Sequence, residues 1–282
     1  MAVILRGAEV VNAMKDKMTQ EVEALKARGI QPQLAIVRVG ARPDDLSYER
    51  GAMKRCESVG VKCTVFALPE GLGQAEFNEQ VKAINDDKLI HGMLLFRPFP
   101  KQISEEVVKN IVAPAKDMDG MTPINVAKVF AGDADAIPPC TPEAVMEVLD
   151  HFKISVEGKR VVVIGRSMVV GKPLSMMLLK KHATLTICHT RTKDLEGVAR
   201  GAEILIAAAG KAKMVTAAFV SPGATVIDVG INVDAAGNLC GDVDFEPVEK
   251  VAGYITPVPG GVGTVTSSLL AKHVIRAASQ SV

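Results

Sequence analysis

The run from Val161 to Pro173, Val-Val-Val-Ile-Gly-Arg-Ser-Met-Val-Val-Gly-Lys-Pro, leaves the chain little freedom. Four β-branched residues in succession favour a buried strand, Gly165 lets the chain turn sharply off it, and Pro173 suits the first turn of a following helix. A strand that passes through a glycine turn into a helix N-terminus is the arrangement that receives the pyrophosphate of a dinucleotide, with Gly171 allowing close backbone approach. The spacing is Gly-x5-Gly instead of Gly-x-Gly-x-x-Gly. Taken alone, it also fits a tight turn that binds nothing.

The surroundings favour the ligand. Arg160–Gly165, Thr184–Thr190, Ile204–Gly210 and Ala224–Gly230 read as short apolar strands, the first three followed by helical stretches, which predicts a parallel sheet. Ligands of such sheets bind beyond the carboxyl ends of the strands, where Gly165, His189, Gly210 and Gly230 fall. An NAD site usually carries a carboxylate roughly 20 residues past the glycine turn to hold the ribose hydroxyls. Here that place holds His189, Thr190, Arg191 and Thr192, with no carboxylate before Asp194. Arg166 and Arg191 offer guanidinium forks to a 2′-phosphate, so NADP is expected over NAD. The competing reading makes both arginines ordinary solvated residues.

A chain of 282 residues suits two domains of ordinary size. Lys and Arg together number 33 against 32 for Asp and Glu, so nothing in the charge points to nucleic acid or an anionic membrane. No apolar run approaches the roughly 20 residues that span a bilayer, and a cytoplasmic protein is expected. Cys56, Cys63, Cys140, Cys188 and Cys240 lack Cys-x-x-Cys spacing, and the histidines lack metal-ligand spacing, so neither disulfides nor a metal site are expected.

Before the dinucleotide unit the chain reads as a second α/β segment. Val11, Met14, Met18, Val22 and Leu25 share one helix face, and strands fit Leu34–Val39, Lys62–Leu68 and Gly92–Pro98. Helices fit Asp45–Val59, Gln74–Asn85 and Ser104–Ile111. The expected organisation is an amino-terminal domain over residues 1–140 and a Rossmann-like domain over 141–264, with a cleft between them. The proline-rich stretch Ile137–Pro142 is the crossing, and a last helix, within 265–282, packs back on the first domain.

Several strings are too specific for chance: Lys-Asp-Met-Asp-Gly at 116–120, Pro-Cys-Thr-Pro at 139–142, Gly-Arg-Ser-x3-Gly-x-Pro at 165–173, Asp-Val-Gly-Ile-Asn at 228–232, Gly-Asp-Val-Asp-Phe at 241–245 and Thr-Pro-Val-Pro-Gly-Gly-Val-Gly at 256–263. In this order they resemble the methylenetetrahydrofolate dehydrogenase/methenyltetrahydrofolate cyclohydrolase family over nearly the whole chain. The resemblance implies a folate-binding catalytic domain, a Rossmann-like NADP domain, a homodimer, and oxidation of 5,10-methylenetetrahydrofolate by hydride transfer. It implies that Tyr48 packs on the folate ring and that Asp119 bonds the amino edge of the pterin; the competing reading makes Asp119 a turn aspartate ahead of Gly120, which Asp117 could equally be. It places Ser167 and Ile231 with Gly165, Arg166, Gly171, Pro173, His189, Thr190, Arg191, Gly210 and Gly230 around the cofactor, and Pro259, Gly260 and Gly261 along the substrate.

Departures from the family strings matter as much. Bifunctional members carry Tyr-x-x-x-Lys, with the lysine central to the cyclohydrolase step, whereas Ala52 stands four residues after Tyr48. Lys54 lies about 120° around the helix from Tyr48, against about 40° for position 52, and cannot simply replace it. Where the family reads Val-Gln-Leu-Pro-Leu-Pro, residues 95–100 read Leu-Phe-Arg-Pro-Phe-Pro, so Phe96 replaces the glutamine that positions the lysine or the attacking water. Thr264 replaces a proline. The expectation is a dehydrogenase with little or no cyclohydrolase activity, and a separate cyclohydrolase in the same cell. Two alternatives stand beside it: the full bifunctional enzyme, with Lys54 or another group assisting hydrolysis, and a silent folate- or nucleotide-binding paralogue. For Arg97 the sequence does not rank substrate contact against solvent.

Overall fold

Parallel strands whose two faces are both covered read as unbroken apolar runs, and four segments of this chain do so. The computed structural model describes residues 1–234 and 236–281. In chain order its elements begin with β1 (Val3–Ile4), α1 (Gly7–Ala27), β2 (Gln33–Val39), α2 (Pro43–Glu57), β3 (Lys62–Leu68), α3 (Gln74–Asp86) and β4 (Gly92–Leu95). There follow α4 (Glu105–Ile111), α5 (Pro123–Ala131), α6 (Cys140–His151), β5 (Arg160–Ile164), α7 (Gly171–Lys180), β6 (Thr184–Cys188), α8 (Leu195–Arg200) and β7 (Ile204–Ala207). The last are β8 (Thr225–Asp228), β9 (Asn232–Val233), β10 (Leu239–Cys240), α9 (Phe245–Glu249), β11 (Tyr254–Ile255) and α10 (Val262–Gln280). They build two units: residues 1–12 with 141–266, and residues 13–140 with 267–282.

The first unit holds a six-stranded, all-parallel sheet in the order β1-β11-β8-β7-β5-β6. Because β5 pairs with β6 on one side and β7 on the other, the chain reverses its direction of travel across the sheet at β5. Such a switch point opens a crevice at the carboxyl ends of the strands. Val162, Ile164, Leu205, Ala207, Val226 and Ile255 form its core with Val215, Val243 and Val248.

Three features differ from expectation. The first twelve residues belong to this unit and not to the amino-terminal one, because Val3 and Ile4 pair with Tyr254 and Ile255 at the sheet edge. No α-helix follows β7; only a single turn of 3-10 helix at Ala217–Phe219 appears before β8. The reason is electrostatic: the peptide N–H groups of Ala209, Gly210 and Lys211 all point at the carboxylate of Asp242, which holds them in a loop. Finally, β4 stops at Leu95, just short of Pro98, which has no N–H for a ladder.

The second unit centres on the parallel sheet β3-β2-β4. Ala35, Val37 and Val39 of β2 meet Phe77, Val81 and Ile84 of α3 and Val108 of α4. Helix α2 opens with Pro43 and has Asp44 and Asp45 in its first turn and Lys54 and Arg55 in its last, the polarity that a helix dipole favours. An ion pair between Arg38 of β2 and Glu49 of α2, at 2.8 Å and largely shielded from water, ties this helix to the sheet. Lys116 donates to the carbonyls of Ile84, Asn85 and Asp87, capping the end of α3. No helix among the described residues is long and apolar enough to cross a membrane.

Candidate active site

In the second unit, α2 carries Tyr48 and, one turn on, Ala52. The Tyr48 ring stands 5.6 Å from that of Phe96 at a tilt of 58°, an aromatic pair worth roughly 0.5–1.5 kcal/mol beyond its buried area. Ala52 and Phe96 are buried and Lys54 is exposed, so neither position 52 nor position 96 presents a polar group. Although 43% of Tyr48 remains exposed, its surroundings raise its hydroxyl pKa, burial first and then the negative potential of Cys140 and Asp119.

The string Lys116–Gly120 divides its work. Asp117 is buried and accepts from the backbone N–H groups of Met121 and Thr122 and from Asn125 Nδ2, which makes it the aspartate that builds the turn. Met118 fills the space that a side chain at Gly92 would need. Asp119 is turned the other way, with 30% of its side chain open to water. Its Oδ1 accepts from the Cys140 backbone N–H at 3.1 Å, and its Oδ2 from Arg97 Nη2 at 3.1 Å. Burial pushes the Asp119 pKa up, while the Cys140 N–H and the Arg97 charge oppose it. The same two donors and the remaining solvent access favour its carboxylate form. A carboxylate accepts at about four positions, so two remain for a ligand. Cys140 is buried, with its thiol donating to the Met118 carbonyl at 3.4 Å.

In the first unit, Gly165 and Gly171 shape the turn after β5. Gly165 has φ +144°, and a Cβ there would run into the Ala208 carbonyl; a Cβ on Gly171 would fall on the Gly165 carbonyl oxygen. This cradle suits a pyrophosphate against the start of α7, and Arg166 to Val169 line it as exposed residues. Ser167 Oγ accepts from the Val170 N–H at 3.0 Å, closing the turn, and Pro173 is buried in the first turn of α7. After the neighbouring strand β6, the Thr192 N–H donates to the His189 carbonyl, the His189 N–H to Thr192 Oγ1, and the Arg191 N–H to His189 Nδ1. Thr190 and Arg191 are left exposed. Both arginines thus follow the ends of adjacent strands, in register at Ile164 and Cys188. Residues of this kind fit NADP as a group to be held.

Gly210 and Gly230 do not offer their N–H groups to a ligand. The Gly210 N–H is bound to Asp242 and that of Gly230 to Asp228, and a Cβ at Gly230 would collide with the Asp242 carboxylate. Two buried aspartates thus dictate the shape of both loops, a role invisible in the strings that contain them. Asp228 accepts from the backbone N–H groups of Gly230, Asp242 and Val243, and burial still pushes its pKa up to about 6. Gly230 and Ile231 join Pro259, Gly260 and Gly261 around one cavity of about 220 Å³. Gly260 anchors that loop by accepting from the Gly7 N–H at 2.8 Å. Among the described residues, no cluster of three or more His, Cys, Asp or Glu is arranged to hold a metal ion.

Comparison with known proteins matches residues 5–119 to the tetrahydrofolate dehydrogenase/cyclohydrolase catalytic domain and residues 139–282 to the NAD(P)-binding domain of the same family. The bifunctional protein FolD of Clostridioides difficile is 56% identical over 274 residues, covering 97% of this chain and 96% of that protein. FolD of Campylobacter jejuni superposes with a TM-score of 0.97 at 37% identity over the full length of both chains. The Trypanosoma brucei methylenetetrahydrofolate dehydrogenase-cyclohydrolase, solved with NADP and an inhibitor, gives 0.93 at 34% identity over 99% of this chain and 98% of that one. With both domain profiles matched in order and relatives this similar along nearly their whole length, the chain belongs to the tetrahydrofolate dehydrogenase/cyclohydrolase family.

Proposed function

We propose that this protein oxidises 5,10-methylenetetrahydrofolate to the 5,10-methenyl form with transfer of hydride to NADP. The observation that carries this reading is the Asp119 carboxylate, held by two donors and still able to accept two more bonds, beside the half-open Tyr48 ring. Two adjacent N–H donors on the pterin edge would satisfy it, and Tyr48 would give the ring a face to pack on. Bound NADP supplies the hydride acceptor. The hydride leaves the one-carbon bridge with its electron pair while a folate nitrogen lone pair closes the C=N bond, so no protein base is required. The residues' task is positioning and the exclusion of water, which buried Phe96 assists.

NADP is preferred over NAD on the strength of Arg166 and Arg191, with no carboxylate at the corresponding place after β6. Replacing both arginines by glutamine is expected to raise KM for NADP by about 10- to 100-fold, as loss of charge-assisted bonds requires, with KM for NAD nearly unchanged. Equal losses with both cofactors in steady-state assays would remove the arginines from the 2′-phosphate.

The second family reaction, hydrolysis of the methenyl product, is supported by the relatives at 56% and 53% identity, both named bifunctional. That support favours the bifunctional alternative over the expectation of little or no hydrolysis, and the proposal extends to a cyclohydrolase step. With Ala52 and Phe96 in place of lysine and glutamine the step is slow, since no group at those positions can orient water. The experiment pairs two assays: NADP reduction with 5,10-methylenetetrahydrofolate, and decay of 5,10-methenyltetrahydrofolate above the buffer rate. Wild type is expected to show both, the second weakly, and Ala52→Lys with Phe96→Gln to raise hydrolysis at least about tenfold, the low end of general acid–base contributions being larger still. Ligand-induced stabilisation without NADP reduction would identify a silent binder.

A further inference from the structure

Arg97 stands where the family string has leucine, and it is bound to the one carboxylate that the proposed substrate site depends on. Its guanidinium bridges two carboxylates: Nη2 to Asp119 Oδ2 at 3.1 Å and Nη1 to Glu105 Oε1 at 3.0 Å. Four-fifths of its side chain is shielded, whereas half of Glu105 is open to water. The Asp119 side chain is consequently held at both oxygens by donors from different segments, Arg97 after β4 and the Cys140 N–H at the start of α6. A carboxylate fixed at both ends cannot rotate, and its two free acceptor positions keep one plane.

We infer that Arg97 is a positioning residue for substrate recognition, fixing Asp119 as an oriented anion for a ligand edge with two adjacent N–H donors, the class to which the 2-amino-pyrimidinone edge of a pterin belongs. The inference rests on the function proposed above. Glu105 is the outer arm of the same bridge: it engages the second nitrogen of the fork and turns the first toward Asp119. A planar guanidinium can serve two carboxylates at fixed angles, which an ammonium does less well. Asp117, which also acts on Asp119, is committed to its own turn.

The test uses the intact protein. Arg97→Gln is expected to raise KM for 5,10-methylenetetrahydrofolate about tenfold, in line with loss of one charge-assisted bond, while kcat falls less than about threefold and KM for NADP stays within about twofold. Arg97→Lys, which restores charge without the fork, should recover part of the loss. Asp119→Asn should raise the same KM, and the double variant should be no worse than the Asp119 variant alone, because residues acting as one unit are not additive. An unchanged folate KM in Arg97→Gln, or additive losses in the double variant, overturns the inference. So does a matched fall in kcat and melting temperature with no change specific to folate. Titration calorimetry with tetrahydrofolate separates the two layers: weaker binding by Arg97→Gln than by wild type, when wild type reduces no NADP, retains the Arg97 role and rejects the dehydrogenase reading. Equal binding in an active enzyme rejects the Arg97 role alone.

Discussion

Gly171→Ala is expected to lower kcat/KM for NADP by about 100-fold or more, the cost of displacing a binding frame by roughly an ångström. Gly171 is buried at the first position of α7, and an added Cβ would land on the carbonyl oxygen of Gly165 and within 2.8 Å of the Arg166 nitrogen. Neither obstacle is the tip of a flexible side chain. Both are backbone, and Gly165 has φ +144° with the Ala208 backbone close on its own side, so the turn cannot yield on that side either. The methyl group can be admitted only if the segment from Gly165 to Val170 opens, and that segment carries the N–H groups proposed to face the pyrophosphate. Tyr48 and Asp119, the residues proposed to grip the pterin, belong to the other unit, so the folate KM should move far less. Steady-state kinetics with each substrate varied in turn gives the answer, and a loss confined to folate would show that this turn does not hold the cofactor.

How much of this could be read from the sequence differs sharply between the elements. Strands β5, β7 and β8 are legible because apolar runs leading to a glycine announce buried parallel strands, whereas the largely exposed edge strand β6 is read from its β-branched residues alone, and β3 lies at the expected bounds. The two-residue strands β1, β9, β10 and β11 have no period to detect, and β1 exists only because β11 offers it an edge more than 250 residues away. Within the site, the strings told where chemistry is concentrated but not how the labour is divided. Lys-Asp-Met-Asp-Gly reads as one motif, yet Lys116 caps a helix, Asp117 builds a turn, Met118 packs under Gly92 and only Asp119 is left with spare acceptors. The Arg97–Asp119 pair spans 22 residues and joins two loops, so no local spacing reveals it. Likewise, Gly230 of Asp-Val-Gly-Ile-Asn and Gly210 after β7 look like ligand glycines until their N–H groups are followed to Asp228 and Asp242. Backbone donors are silent in a sequence; only the fold says which anion they serve.

Asp242 is therefore expected to be the costliest polar residue of the six-stranded unit to alter. It is completely buried, and four donors converge on it: the N–H groups of Ala209 and Gly210 on Oδ2, and the Lys211 N–H and Asn232 Nδ2 on Oδ1. Asp242→Asn keeps one oxygen and sets an NH2 group against N–H donors that Asp242 accepts from in the wild type. At roughly 1–3 kcal/mol for each buried donor left unsatisfied, and with the anion's own attraction gone, unfolding free energy should fall by about 3–5 kcal/mol. Asp242→Ala should lose at least as much, because all four donors are stranded. The damage has a direction: residues 209–211 would be released from their loop after β7, beside the Ala208 N–H that donates to Ile164 at the root of the cofactor turn. KM for NADP should accordingly rise in any Asp242 variant that still folds, while the pairing of Arg97 with Asp119 in the other unit is untouched. Denaturant unfolding of wild type and both variants decides the matter. A midpoint that barely moves would mean that water reaches these donors and that the loop is not held by the buried charge.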